Sequence, residues 1–446
     1  MITVPIMLFG WVPLTVFLFF TLKPHHAVLC SVIGGWLFLP MSGFDLPGIP
    51  AYTKGTAIAI GLILGGRISG HRKSSSFQWR KYDIPMIIWC LCPIASSLSN
   101  QLGLYNGLSD TFSQIIIWGI PYLCGRMYFN NAKTLYDLAL GIVIGGLLYM
   151  PLCLYEIRMS PQLSNIFYGF FPHSFAQHAR YGGFRPIVFM QHGLMVALWL
   201  AVATTITFWL WRNKELKYIK GIPVSIIFMS LAITTVLCKT AGAWFALIIG
   251  CGSYVLFHSL KMRLPFLLLL LVVPVYIGFR TTGLVTAHDI EIQAARFVDS
   301  DRIESLGIRL RQEDLFSTKA MERPLLGWGG YGRGWPLDPD TGQKMIQMVD
   351  SLWLITFSSK GFLGILSLVT ATLIGPWIIL RSTRKDRNDS DSSTIVPVVL
   401  SIIVILFMID SLINGMLNPV YILIAGALIS WHINQKHTQV SGQIPN

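Results

Sequence analysis

The chain has 446 residues, of which 53% are hydrophobic and 12% charged, with a formal net charge of +13. A soluble domain carries roughly 25% charged residues, so a water-soluble fold is excluded at this length. The apolar segments are continuous rather than alternating, which excludes a membrane β-barrel. The bases sit in short joints between apolar runs, where they read as topology signals and not as a nucleic-acid surface.

About 20 apolar residues span a bilayer as a helix. Candidate runs fall at 4–22, 27–40, 54–69, 84–100, 110–128, 134–155, 186–210, 222–238, 241–258, 264–280, 352–380, 395–412 and 417–432. They predict an all-α, polytopic transmembrane bundle of about 12–14 spans. Residues 1–446 form one integral membrane domain with a large external loop domain. The opening Met1-Ile2-Thr3-Val4 has neither a basic region nor a small-residue cleavage site, so the first run is expected to be retained. The seven cysteines, Cys30, Cys90, Cys92, Cys124, Cys153, Cys238 and Cys251, lie in or beside apolar runs. That argues against a disulfide framework. Cys90 and Cys92 face different ways on a helix, and no metal site is expected.

Orientation follows from the bases in short loops. Arg72, Lys73, Arg80 and Lys81 form one group, and Arg212, Lys214, Lys217 and Lys220 a second. Lys261 and Arg263, then Arg381, Arg384, Lys385 and Arg387, complete one alternating set of loops. The opposite short loops, near 41–53, 101–109 and 413–416, have none. The first set is therefore cytoplasmic, and residues 433–446 make a disordered cytoplasmic tail.

One outward loop breaks the rule. Residues 156–185 carry Glu156, Arg158, Arg180 and Arg185, with His173 and His178. Arginines kept on the outer face either meet something anionic, for which guanidinium forks suit phosphate oxygens, or pair with acids such as Asp299 and Asp301. His192, placed inside the seventh run, is a functional candidate as an intramembrane ionisable group; a hydrogen-bonded core histidine is the plainer reading. The segment 281–350 is the one long polar stretch and falls on the outer, periplasmic side. It holds 11 of the 21 acids and eight bases, among them Arg309 and Arg311. Within it, Pro324-Leu325-Leu326-Gly327-Trp328-Gly329-Gly330 reads as a tight turn, with Trp328, Tyr331 and Trp335 free to stack on sugars or sit at the membrane interface. Asp350 closes it, either as a helix cap or as a site residue. Asp410 and Asn414 line a cavity or join helices. Ser160 and Ser351 have no adjacent histidine, which disfavours a serine hydrolase. No internal repeat is visible, which counts against a transporter.

The order of these features resembles a known family. Arg180-Tyr181-Gly182-Gly183-Phe184-Arg185-Pro186 is followed by Cys238-Lys239-Thr240-Ala241-Gly242-Ala243-Trp244. A long polar segment with Arg309 and Arg311 then leads through Pro324–Gly330 to Asp350 and Gly361-Phe362-Leu363-Gly364. Over roughly residues 150–375 the chain resembles the O-antigen ligase and O-antigen polymerase superfamily of bacterial membrane proteins. The resemblance implies a metal-independent, cofactor-free glycosyltransferase, multi-pass in the bacterial inner membrane, with its active site facing the periplasm. It would move a glycan from an undecaprenyl diphosphate carrier to a hydroxyl of a lipid or glycan acceptor. Arg180, Arg185 and Arg309 or Arg311 would clamp the diphosphate, with Arg158 in support; His192 and Trp328 are further substrate-binding candidates. Many relatives carry His-Asn where Asp350 stands, so Asp350 would contact the acceptor hydroxyl. A ligase is favoured over a polymerase; a transporter of lipid-linked anionic glycans, or a non-catalytic partner in polysaccharide export, are the readings from other classes.

Overall fold

The structure is a computed structural model. It describes residues 3–441 except 47–48, 71–76, 181, 297–299, 331, 339, 346–349 and 383–391. Tyr181, Asp299, Tyr331, Arg72, Lys73, Arg384, Lys385 and Arg387 thus lie outside the described residues, as does the side chain of Asp301.

Every apolar run contains helix, although residues 186–192 at the start of the seventh run are not helical. In chain order the helices are α1 (Thr3–Thr21), α2 (Pro24–Phe38), α3 (Lys54–Ile68), α4 (Ile84–Ser99), α5 (Leu104–Gln114), α6 (Ile120–Tyr128) and α7 (Ala132–Met159). There follow α8 (Leu163–Tyr168), α9 (Gly193–Arg212), α10 (Val224–Leu237), α11 (Ala241–His258), α12 (Leu264–Thr282), α13 (Ala287–Ala294) and α14 (Ser300–Met321). The last three are α15 (Leu352–Ser382), α16 (Ser392–Asp410) and α17 (Pro419–Ser441). Helix makes up 73% of the chain and strand 4%, so the strands, short hairpins only, decorate an all-helical body. Among the described residues seven helices are long and apolar enough to cross a membrane: α1, Lys81–Ser99, α7, α9, α11, α12 and α15. They fit a multi-pass membrane protein.

The helices run back and forth between two ends. At one end Arg126 of α6 meets Asp83 (2.7 and 3.1 Å), Asn434 of α17 meets Asn130, and His25 of α2 meets Asp137 of α7. At the other, Tyr168 meets Phe38, Ser96 meets Leu326, and Arg185 meets Lys239. The centre is α9, whose Trp199 and Trp209 are fully buried. It also buries Thr204, Thr205 and Thr207, whose hydroxyls donate to carbonyls four residues back at 2.7–2.9 Å. That local bond lets a polar side chain enter an apolar core without an orphaned donor.

Two features depart from the sequence reading. The segment 281–350 is not simply a loop, because α13 and α14 occupy much of it. Leu310, Glu313, Phe316, Ser317 and Ala320 form the buried face of α14, at helical spacing. Arg280, 2% exposed, bolts that face to the end of α12. Its guanidinium meets Glu313 at 3.2 Å and Asp314 at 2.7 Å, and donates to the carbonyls of Val285 and Leu310. Burial raises the Glu313 carboxyl; hydrogen bonds from Tyr276 and Arg280 oppose that shift. The second departure is the tail: α17 continues to Ser441, so residues 433–441 are helical rather than disordered.

The Pro324–Gly330 motif acquires a structural role. Helix α15 breaks at Gly361, where φ is 62° and ψ −159°. A break strands backbone groups that a membrane helix must satisfy internally. Here Phe362 and Leu363 donate to the carbonyls of Pro324 and Leu325 (2.7 and 3.2 Å). Trp328 and Gly329 donate to those of Ser358 and Ser359 (2.8 and 3.0 Å). Ser96 donates to the carbonyls of Leu326 and Ser359, and Asn100 to that of Gly327.

Candidate functional site

Arg185 and His192 share one loop because a single buried acid shapes it. Glu156, in the last turn of α7, is fully buried and accepts the backbone N–H groups of Leu163 (2.9 Å), Ile187 (2.8 Å) and Val188 (2.8 Å). The Tyr149 hydroxyl accepts that of Phe189 at 3.0 Å. Val188 is held at φ 52°, a backbone conformation that a β-branched residue adopts only under constraint. A hairpin of β3 (Ala179–Arg180) and β4 (Gly183–Phe184) presents the arginines. Arg180 is exposed, with no side-chain ion pair among the described residues. Arg185 is buried across Gly193 and donates to the Lys239 carbonyl.

Three imidazoles stand beside these arginines. One ring nitrogen from each of His173, His178 and His192 lies within 4.8 Å of the other two. His192 is not inside a span; it caps the N-terminus of α9, its Nδ1 accepting the Leu194 N–H at 3.1 Å. His173 Nδ1 accepts the Ser174 N–H at 2.8 Å. A neutral ring whose Nδ1 accepts must carry its proton on Nε2, and His192 spends that proton on Gln177 Oε1 at 3.2 Å. Neither nitrogen of the buried His178 has a hydrogen-bond partner among the described residues. Burial, then Arg185, pushes His178 down to about 4. Burial, then His178, His173 and the arginines, pushes His192 down to about 3. His178 and His192 are thus neutral rings; backbone amides occupy the Nδ1 lone pairs of His173 and His192, which disfavours a metal ion, and the N–H of His178 is left for an anionic oxygen.

The same loop leads into a cavity of about 520 Å³, well within the size range of ligand sites. Its walls include Trp36, Lys54, Ile117, Gln191, Gly415 and Pro419. Lys54 is 4% exposed; it donates to the Trp36 carbonyl at 3.2 Å and lies 4.0 Å over that indole. No carboxylate pairs with it among the described residues. The sequence reading missed Lys54 because it is the first residue of an apolar run; the usable signal was that a lysine stood alone there.

Asp350 is exposed, and its carbonyl abuts Gly415, where a Cβ would come within 2.9 Å. Asp350 thus stands next to the cavity wall. It does not occupy the cap position, since α15 begins at Leu352 and Ser351 precedes it, with a buried hydroxyl that has no partner among the described residues. Asp410 and Asn414 bond to each other at 2.9 Å, one residue short of Gly415.

The remaining expected residues are elsewhere. Arg311 is tied to Glu291 at 2.6 Å, so a helix-to-helix ion pair takes up the guanidinium expected at the diphosphate. Arg309 is exposed on the same helix and Arg158 on the last turn of α7. Among the described residues no hydrogen bond joins Arg309 or Arg311 to the hairpin. Trp328 is not free to stack on sugar: its indole N–H donates to the Lys319 carbonyl, and Lys319 and Arg323 lie 4.4 and 4.6 Å from its ring. No protein-family model matches the chain, and no curated protein matches it.

Proposed function

We propose that this chain is a membrane-embedded transferase that takes a glycan from a lipid diphosphate and passes it to an acceptor hydroxyl, as an O-antigen ligase does. The observation that carries this is the cavity with Lys54 buried in its wall and the arginine–histidine loop running into it through Gln191. Loss of a glycan from a lipid diphosphate leaves negative charge on the departing phosphate, and donors fixed beforehand at that point lower the barrier. Arg185, Lys54 and the N–H of His178, held in place by burial, are such donors, and the exposed Arg180 joins them when the diphosphate binds. Asp350, against Gly415, is the group placed to meet the acceptor hydroxyl. The thirteen apolar runs all cross the bacterial inner membrane in this reading, and the loop end faces the periplasm. The resemblance of residues 150–375 to ligases and polymerases supports it; the narrowed set of arginines follows from the Arg311–Glu291 pair.

The test is surface glycan from a strain lacking the gene. Long chains retained on the carrier lipid identify a ligase, and single repeats on the carrier a polymerase. Normal glycan ends the proposal. In the complemented strain Lys54→Gln and Arg180→Ala are expected to cut transfer by on the order of 10²-fold at equal protein level. The break at Gly361 favours one second reading, a transporter of the same lipids, since broken helices line transport sites. A transporter moves labelled lipid across vesicles and leaves its glycan unchanged.

A further inference from the structure

At the opposite end of the bundle, three side chains converge that the transferase reading does not use. His25 Nε2 lies 3.0 Å from Asp137 Oδ2, and His26 Nε2 lies 3.4 Å from the same oxygen. Adjacent residues of a helix ordinarily point about 100° apart and share no partner. Here Pro24 opens α2, and the two rings that follow it are drawn together, with centroids 4.1 Å apart. Asp137 comes from the second turn of α7.

We propose that His25, His26 and Asp137 form a binding site for a divalent transition-metal ion of the zinc class, which joins the start of α2 to α7. Zinc sits roughly 2.0–2.2 Å from imidazole nitrogen and carboxylate oxygen, so neighbouring ligand atoms in a tetrahedral shell lie roughly 3.3–3.5 Å apart. The two nitrogen-to-oxygen edges, 3.0 and 3.4 Å, are close to that spacing, and the three ligand atoms lie within 4.8 Å of one another. The tautomers also fit. Without metal, His25 donates from Nε2 to Asp137; neither Nδ1 has a hydrogen-bond partner among the described residues, so each ring is free to place its one proton there and turn an Nε2 lone pair to the metal. His173 and His192 are the reverse case, because backbone N–H groups occupy their Nδ1. The side chains of His25 and Asp137 are 15% and 20% exposed, and that of His26 43%. Two ligands are sheltered and the third opens to solvent, leaving room for a water as fourth ligand. Lys23 stands nearby and opposes the cation, while the Asp137 carboxylate offsets it. The sequence reading expected no metal; it considered the cysteines and passed over two adjacent histidines whose partner lies 112 residues away.

The test uses the full chain without an affinity tag, in detergent, stripped with a chelator and titrated with zinc chloride against a chromophoric competitor near neutral pH. One equivalent is expected to bind and to raise the unfolding temperature. His26→Ala and Asp137→Asn are each expected to weaken that binding at least about 10-fold, and His26→Cys, which supplies a thiolate, to retain it. His178→Ala is expected to leave it unchanged. Absence of a bound equivalent in the parent chain overturns the proposal. So does unchanged affinity in both His26→Ala and Asp137→Asn, or loss of binding in His178→Ala. His26 is the most exposed of the three, so its variants read the site even should Asp137→Asn fail to fold.

Discussion

Gly361 holds a backbone conformation that no other residue enters cheaply, and a Cβ there would come within 2.5 Å of the Leu325 and Pro324 carbonyls. Gly361→Ala therefore adds a clash to backbone strain of about 1–3 kcal/mol. A lowered unfolding temperature in detergent is the expected result. Gly364, by contrast, keeps helical geometry, so the two glycines of the Gly-x-x-Gly motif serve different ends. The motif was visible in the sequence, but its reason was not, because the reason is a partner segment some thirty-five residues earlier. The histidines carry a second prediction. His178 and His192 have folded-state values below that of an unfolded histidine, near 6.5. The unfolded chain takes up these protons first, so stability is full above about 6.5 and falls as the pH drops toward 4 and then 3. The slope contributed is at most about 1.4 kcal/mol per pH unit per ring. Melts followed by tryptophan fluorescence across that window are expected to lose part of the slope in His178→Gln.

The apolar helices were legible because bilayer thickness fixes a length that composition reveals. Helices α13 and α14 were not, because eight of the 22 residues of α14 are charged and its buried face includes Glu313 and Ser317. Nor was Arg280, which falls just before the polar stretch and looks like an ordinary charge at the end of a span. Its burial between Glu313 and Asp314 makes it the fastening of α14 to α12. Arg280→Met leaves Glu313 buried without its cation, a change that costs about 3–5 kcal/mol. Limited proteolysis is expected to cut near α14 far faster in that variant. The double variant Arg280→Met with Glu313→Gln is expected to recover much of the protection, since it removes both charges.

Across the whole molecule, large apolar side chains stay exposed on several helices: Ile6 and Phe17 on α1, Ile226 and Ile233 on α10, Phe245 and Ile248 on α11, Leu268 on α12. A soluble monomer does not leave so much apolar surface in water; the acyl chains of a membrane would cover it. The loop-charge rule gives the matching polarity test. Alkaline phosphatase fused after Gly330 is expected to be active and, fused after Lys261, inactive; the reverse pattern turns the bundle over. What a single sequence could not yield was which loops meet. Gln191, Lys54 and Gly415 belong to apolar runs or short joints, and only the packing of distant helices sets them around one cavity.

Helix α7 has 28 residues, about 42 Å at 1.5 Å per residue, against a hydrocarbon layer of about 30 Å. A rod longer than the layer can lean, and such a lean follows the thickness of the lipid around it. Because the Glu156 carboxylate grips three amides of the loop, tilting that rod tugs the arginines along with it. Reconstituted into vesicles of stepwise longer acyl chains, the protein is expected to change its grip on anionic lipid, and Glu156→Gln to blunt that response. The bilayer itself would then act as a dial on the site.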